Sequence, residues 1–140
     1  MEVKLRWTGA GLHFLAQAES GHTTAYDSPV EVGGTDQAMR PMEGLLSAMV
    51  ACFAADVVSI LQKKRCEIRQ FQVQATAERR PDFPRVFTKA HLQVEIESPN
   101  AKPADIERSI ELSRTKYCSA MAMFAAAGCE IVIDYTLRTS

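Results

Sequence analysis

The chain has 140 residues, of which 46% are hydrophobic and 24% are charged, a balance typical of one globular domain rather than a disordered chain. Its 16 Lys and Arg against 17 Asp and Glu give a formal net charge of −1, which excludes the basic footprint of a nucleic-acid-binding protein. We therefore expect a single domain over residues 1–140 with no nucleic-acid partner.

The first half of the chain predicts three strands followed by a long helix. Apolar and polar residues alternate over residues 3–7, 12–18 and 23–26, and residues 28–40 read as a loop. Pro41 stands where a first helical residue is favoured, and the cations Lys63, Lys64 and Arg65 stand where a helix end favours them. These signals predict a helix of about 24 residues, roughly 36 Å long.

Residues 44–61 of this helix carry one charge, Asp56, and approach the length of a membrane span. The stretch is rich in Ala, Ser and Gly, which favours a buried central helix instead. The N-terminus reads without a secretory signal, so we expect a cytoplasmic protein with reduced cysteines and no membrane association.

The second half predicts a hairpin, two helices and a last strand. Residues 70–78 and 86–96 alternate as strands around an arginine-bearing tip, and Pro103 opens a helix. A break at 117–119, a short helix over 120–127 and a strand over 131–137 follow. The order β-β-β-α-β-β-α-α-β predicts an α+β fold with mostly antiparallel sheet and one central helix.

The cysteines are the candidates for chemistry. The three histidines are scattered and no glycine-rich phosphate motif occurs, so we expect no metal and no cofactor. Cys66 and Cys129 read as incidental, and Cys52 lies mid-helix, where a lone cysteine is often a small core residue. Cys118 lies at the break between helices, before Ser119 as the predicted N-cap, and unpaired N–H groups at a helix start favour a thiolate.

Three segments carry a resemblance to a known family: PMEGLL at 41–46, ACFAADVVSIL at 51–61 and KYCS at 116–119. Together with a second cysteine some 66 positions after Cys52, they resemble the OsmC/Ohr superfamily, the osmotically inducible protein C and organic hydroperoxide resistance proteins. Within it, the chain is most similar to the YhfA-like branch. The resemblance implies an intertwined homodimer whose antiparallel sheets wrap around the long central helices.

The resemblance also implies a function: a thiol-dependent hydroperoxide reductase of oxidative-stress defence, with peroxiredoxin-type chemistry and without metal or flavin. Cys52 would be the peroxidatic cysteine, which an organic hydroperoxide oxidises to a sulfenic acid. Cys118 would be the resolving cysteine, which condenses with it to a disulfide. A dithiol, such as a lipoyl group on a carrier protein, would then reduce the disulfide.

Two positions depart from the peroxidase pattern. Peroxidase members activate their cysteine with an Arg of the N-terminal loops, held by a Glu directly after the helix-start proline. Here that position is Met42, Glu43 follows one residue later, and residues 8–11 contain no Arg. Glu43 is therefore either a site carboxylate or a partner of the helix dipole. The candidates to replace the missing cation are Arg6, Arg40, and an Arg of the hairpin tip, Arg80 or Arg85, supplied by a partner chain.

Two alternative functions stay open at this stage. The first is a non-enzymatic OsmC-fold protein that binds a small apolar or thiol-bearing ligand, or senses oxidation, without the activating Arg/Glu pair. The second is a thiol-dependent enzyme of another reaction, with Glu43 or Asp56 as its acid or base.

Overall fold

The computed structural model describes residues 1–139, which form two compact units, one of residues 1–47 and one from residue 48 onward. Each unit contains a three-stranded sheet, and a long helix begins in the first unit and continues into the second. The predicted α+β class is confirmed.

The first unit begins with an antiparallel sheet of β1 (Val3–Trp7), β2 (Phe14–Ala18) and β3 (Thr23–Tyr26), in the order β1-β2-β3. The second strand starts two residues later than predicted, because residues 8–13 close a turn through backbone bonds between Thr8 and His13 and between His13 and Ala10. The register places apolar residues of neighbouring strands opposite one another, Leu5 against Ala16 and Trp7 against Phe14. One face of this sheet is therefore apolar, and its β1 side chains are exposed.

Two glycines of the first unit stand where no other residue fits. A Cβ on Gly34 would collide with the backbone of Ser28, and a Cβ on Gly44 would collide with the ring of Tyr26. The loop between β3 and the helix is thus held close to its own start, and Tyr26 lies directly against the first helical turn.

The long helix α1 (Pro41–Lys63) starts at the predicted proline and ends within one residue of the predicted end. A stripe of four large side chains, one per turn, is fully buried: Met49, Phe53, Val57 and Leu61. Leu45, one turn before Met49, is half exposed. The small residues Ala48, Ala51 and Ala55 are exposed as well.

By length and composition, α1 meets the criteria for a membrane-spanning helix, with a mean hydropathy of 2.1, criteria that core helices of soluble proteins also meet. Only 28% of its apolar window is buried in the single chain. The predicted long apolar helix is therefore present, with much of its surface uncovered.

The second unit contains the sheet β4-β5-β6, formed by β4 (Gln70–Arg79), β5 (Phe87–Glu97) and β6 (Glu130–Arg138). The predicted hairpin of β4 and β5 is antiparallel, whereas β6 runs parallel to β5. A parallel pair needs a long crossover, and the two shorter helices supply it.

The crossover consists of α2 (Pro103–Leu112), a π-helical turn over residues 113–117, and α3 (Ser119–Ala126). The interruption lies where the sequence predicts it. Both helices are attached to the sheet: Phe124 stacks on Phe87 with 5.4 Å between ring centroids, and the Tyr135 hydroxyl donates to Glu107 at 3.0 Å.

Candidate functional site

Cys52 and Cys118 meet in the second unit. Cys52 is half-buried on α1, and Cys118 is 3% exposed, with its sulfur 4.0 Å from the carbonyl oxygen of Met49, three residues before Cys52. Both are free thiols. The chain thus brings together two cysteines that lie 66 positions apart in sequence.

Cys118 itself caps α3. Its sulfur accepts the backbone N–H of Met121 at 3.3 Å, and its own N–H donates to the Ser113 carbonyl at 2.8 Å. The prediction of Ser119 as the cap is wrong by one residue, because the π-helical turn ends at Tyr117 and Ser119 is already the first helical residue of α3.

The environment of Cys118 keeps its proton in place. Burial raises the pKa of the Cys118 thiol, and the hydrogen bond with the neighbouring Cys52 and the nearby Asp56 carboxylate raise it further. The Met121 N–H acts in the opposite direction, and the resulting pKa is about 11. At neutral pH, Cys118 is therefore a thiol beside Cys52.

Asp56 lies one helical turn beyond Cys52, on the same side of α1. Its carboxylate accepts a hydrogen bond of 2.7 Å from the hydroxyl of Ser113, a fully buried residue. Within residues 1–139, neither Lys, Arg nor His forms an ion pair with Asp56. The fixed charge beside the two thiols is therefore negative.

Glu43 belongs to the first unit, where its carboxylate accepts the backbone N–H of Arg40 at 2.9 Å. This bond serves an N–H group at the start of α1, as a helix-dipole partner would. The Arg40 guanidinium lies 4.0 Å from Asp36. A role of Glu43 in the thiol chemistry stays a prediction.

A cavity of about 610 Å³ lies beside Met121, between the π-helical turn, α3 and β6. Arg114, Ala125 and Cys129 line it as well, and the Arg114 guanidinium donates to the Ile131 carbonyl at 2.6 Å.

Met121 lines the cavity, whereas Phe124 packs on Phe87 and Met123 is 73% exposed. The other two cysteines, Cys66 and Cys129, are buried. Over the part of the chain that the structure describes, no group of three or more His, Cys, Asp or Glu is arranged to hold a metal ion.

A buried carboxylate in the first unit could not be predicted from the sequence patterns. Asp27 accepts four hydrogen bonds, from the N–H groups of Ser28, Thr35 and Gln37 and from the Thr35 hydroxyl. Burial alone would raise the pKa of Asp27, but these donors outweigh it and hold the pKa well below its usual range. Ser113 was missed too, because a serine within a helix gives no signal of its partner.

Comparison with known proteins identifies the family of the chain. The OsmC-like protein family matches residues 34–134. The curated relative YhfA of Escherichia coli K12 is 39% identical over 127 residues, which cover 91% of each chain.

Solved structures share the fold. One from structural genomics is 36% identical, with full coverage of both chains and a TM-score of 0.88. The organic hydroperoxide resistance protein OhrB of Bacillus subtilis is 12% identical over 96% of each chain, with a TM-score of 0.60, and supports the fold alone.

Proposed function

The chain belongs to the OsmC-like protein family, and from this premise we propose that it is a thiol-dependent hydroperoxide reductase of oxidative-stress defence. Cys52 is the peroxidatic cysteine and Cys118 the resolving cysteine. The observation that carries the proposal is the meeting of these two free thiols, one half-buried on α1 and one protonated beside it.

The raised pKa of Cys118 supports this division of roles. A thiol that keeps its proton is a poor nucleophile toward peroxide, so the first attack falls to Cys52. Burial of Cys118 also protects it from direct oxidation by a bulky hydroperoxide.

The reaction then runs in two steps on the protein. The Cys52 sulfur attacks the outer oxygen of the hydroperoxide, the O–O bond breaks, and an alcohol leaves with a proton while Cys52 becomes a sulfenic acid. The Cys118 sulfur next attacks Cys52: an S–S bond forms, the S–O bond breaks, and water leaves. An external dithiol, such as a lipoyl group on a carrier protein, reduces the disulfide by two thiol exchanges and becomes a disulfide itself.

The proposal includes a homodimer in the cytoplasm. The exposed alanines of α1 and the exposed apolar face of β1 are surfaces that a second copy would cover. A cation that activates Cys52 would then come from either chain, with Arg6, Arg40, Arg80 and Arg85 as the candidates.

Intact mass spectrometry after one equivalent of cumene hydroperoxide tests the proposal. Wild-type protein should lose the mass of two hydrogen atoms, as the Cys52–Cys118 disulfide forms. Cys118→Ser should gain one oxygen at Cys52, and Cys52→Ser should keep its mass.

Cys66→Ser is the matched control, since Cys66 is also a buried free thiol, and it should behave as the wild type. An unchanged mass of the wild-type protein would refute the peroxidase function.

One observation favours a second candidate, a non-enzymatic binding or redox-sensing protein of the same fold. The fixed charge next to the thiols is Asp56, which disfavours a thiolate, where a peroxidase needs a cation. Oxidation over many minutes rather than seconds in the same experiment would support this candidate.

A further inference from the structure

Ser113 joins the two halves of the thiol site. Its hydroxyl donates to Asp56 at 2.7 Å, and its carbonyl accepts the N–H of Cys118 at 2.8 Å. It is fully buried and opens the π-helical turn, a local geometry often found at functional sites. One residue thus fixes a carboxylate on α1 relative to the cysteine that caps α3.

The resolving step needs a proton acceptor. Cys118 must lose its proton as it attacks, and a buried thiol has little water around it to take that proton. The titratable groups that raise the pKa of Cys118 are Cys52 and Asp56, and Ser113 ties the Asp56 carboxylate to the turn that precedes Cys118. Cys52 carries the leaving hydroxyl in this step, so Asp56 remains.

We propose that Asp56 accepts the proton of Cys118 during disulfide formation, with Ser113 as the residue that positions it. This inference rests on the proposed function, since the disulfide follows the oxidation of Cys52. The S–S bond forms and the S–O bond of the sulfenic acid breaks. Asp56 takes the proton from Cys118 and gives it to the departing hydroxide, so that water leaves and the carboxylate is restored.

The carboxylate can act on Cys118 in two ways, and these predict opposite changes in the rate of disulfide formation when Asp56 is replaced. As a fixed negative charge alone, Asp56 disfavours the thiolate, so Asp56→Asn would speed disulfide formation. As a proton acceptor, it lowers the barrier of the step, so Asp56→Asn would slow it. General base catalysis of this kind contributes about a hundredfold or more.

A two-reagent experiment on the full chain separates these effects and does not depend on peroxidase activity. In the first arm, Cys52 is converted to its mixed disulfide with thionitrobenzoate. The attack of Cys118 on this mixed disulfide is monitored by quenching samples with acid and measuring the masses of the peptides. In the second arm, cumene hydroperoxide replaces that reagent and dimedone traps the sulfenic acid that persists.

We expect Asp56→Asn to slow the first arm about a hundredfold at pH 7, with formation of the mixed disulfide little changed. The wild-type rate should be nearly flat from pH 6 to pH 8, because carboxylates are ordinarily ionised there. The variant rate should rise about tenfold per pH unit, because it depends on free thiolate.

Controls separate proton transfer from structure. Asp56→Glu should recover much of the rate, and Asp134→Asn, which removes an exposed carboxylate bonded to His91, should leave it unchanged. Circular dichroism establishes that each variant is folded. In the second arm, Asp56→Asn should accumulate the dimedone adduct.

An unchanged or faster first arm in Asp56→Asn would overturn the inference, as would a wild type that forms no Cys52–Cys118 disulfide from either reagent. Slowing in the first arm with no reaction in the second would refute the peroxidase function and leave Asp56 as the proton acceptor in thiol–disulfide exchange.

Discussion

Two carboxylates show how differently the same group is used in the two units. Asp27 accepts four hydrogen bonds within its own loop, whereas Asp56 accepts a single one, from Ser113, among the residues described. The first is saturated by donors and its pKa lies well below the usual range. The second lies beside thiols and raises the pKa of Cys118.

The difference separates a structural carboxylate from one that is free to react. A carboxylate with every lone pair used can take up a proton only by giving up bonds that hold its loop. A carboxylate held at one oxygen keeps its other oxygen for a proton. Both residues are acidic, but Asp27 is buried whereas Asp56 is only half-buried, so burial distinguishes them as well as the number of donors.

Within this comparison, the substitution Asp27→Asn should have the largest effect on stability. The amide keeps one acceptor oxygen and replaces the other with an NH₂ group, which would face donors of the loop. We expect the melting temperature to fall by on the order of 10 °C, measured by differential scanning calorimetry.

Asp36→Asn is the matched control, because Asp36 is an exposed carboxylate of the same loop with one ion pair to Arg40 at 4.0 Å. This substitution should change the melting temperature little. The pH dependence checks the cause. Because folding lowers the pKa of Asp27, its stabilisation is present above the unfolded value of about 4 and is lost as the pH falls. The difference in stability between the wild type and Asp27→Asn should therefore become smaller in acid. A difference that does not change with pH would contradict the lowered pKa of Asp27 as its cause.

Much of the fold could be predicted from sequence, because alternation and helix-end signals act locally. The strands of both sheets, the start of α1 at Pro41 and the break before α3 were predicted within a few residues. Alternation reports which face of a strand is buried but not the direction of its neighbour, so the parallel pairing of β5 and β6 was not predicted.

The site was harder to predict, for a physical reason. The pairing of Cys52 with Cys118 came from the family resemblance, since spacing along the chain does not determine contact across it. Asp27 and Ser113 gave no periodic signal, because their partners are backbone groups and side chains set by loop geometry. A turn-rich stretch with Gly33 and Gly34 was the available hint that the Asp27 loop is tightly built.

As the pH rises, the contribution of the thiol site to the free energy of unfolding should fall before that of the Asp27 loop. Folding raises the pKa of Cys118 from 9.0 to about 11, so its share of stability is full below about pH 9 and is lost as the pH rises toward 11. The free energy of unfolding lost through Cys118 between pH 8 and pH 10 amounts to about 1 kcal/mol.

Urea unfolding of the wild type and of Cys118→Ala at both pH values measures it. Cys66, Cys129 and Tyr135 have raised pKa values too, so the variant should keep part of the alkaline loss. Equal losses in the two proteins would mean that Cys118 does not titrate as its surroundings indicate.

The sharpest comparison makes the same chemical change in each unit. Thr35→Val removes the hydroxyl that donates to Asp27, and Ser113→Ala removes the hydroxyl that donates to Asp56. Each loses one hydrogen bond to a carboxylate, so each should lower the free energy of unfolding by about 1–2 kcal/mol.

Their effects on chemistry should differ. Ser113→Ala frees the carboxylate that would receive the proton of Cys118, and disulfide formation from the Cys52 mixed disulfide should slow several-fold. Thr35→Val leaves Asp27 with three donors in a unit that holds neither cysteine, so the rate should stay at the wild-type value. Equal rates in the two variants, at equal loss of stability, would reduce Ser113 to a packing residue and place both carboxylates in the same structural role.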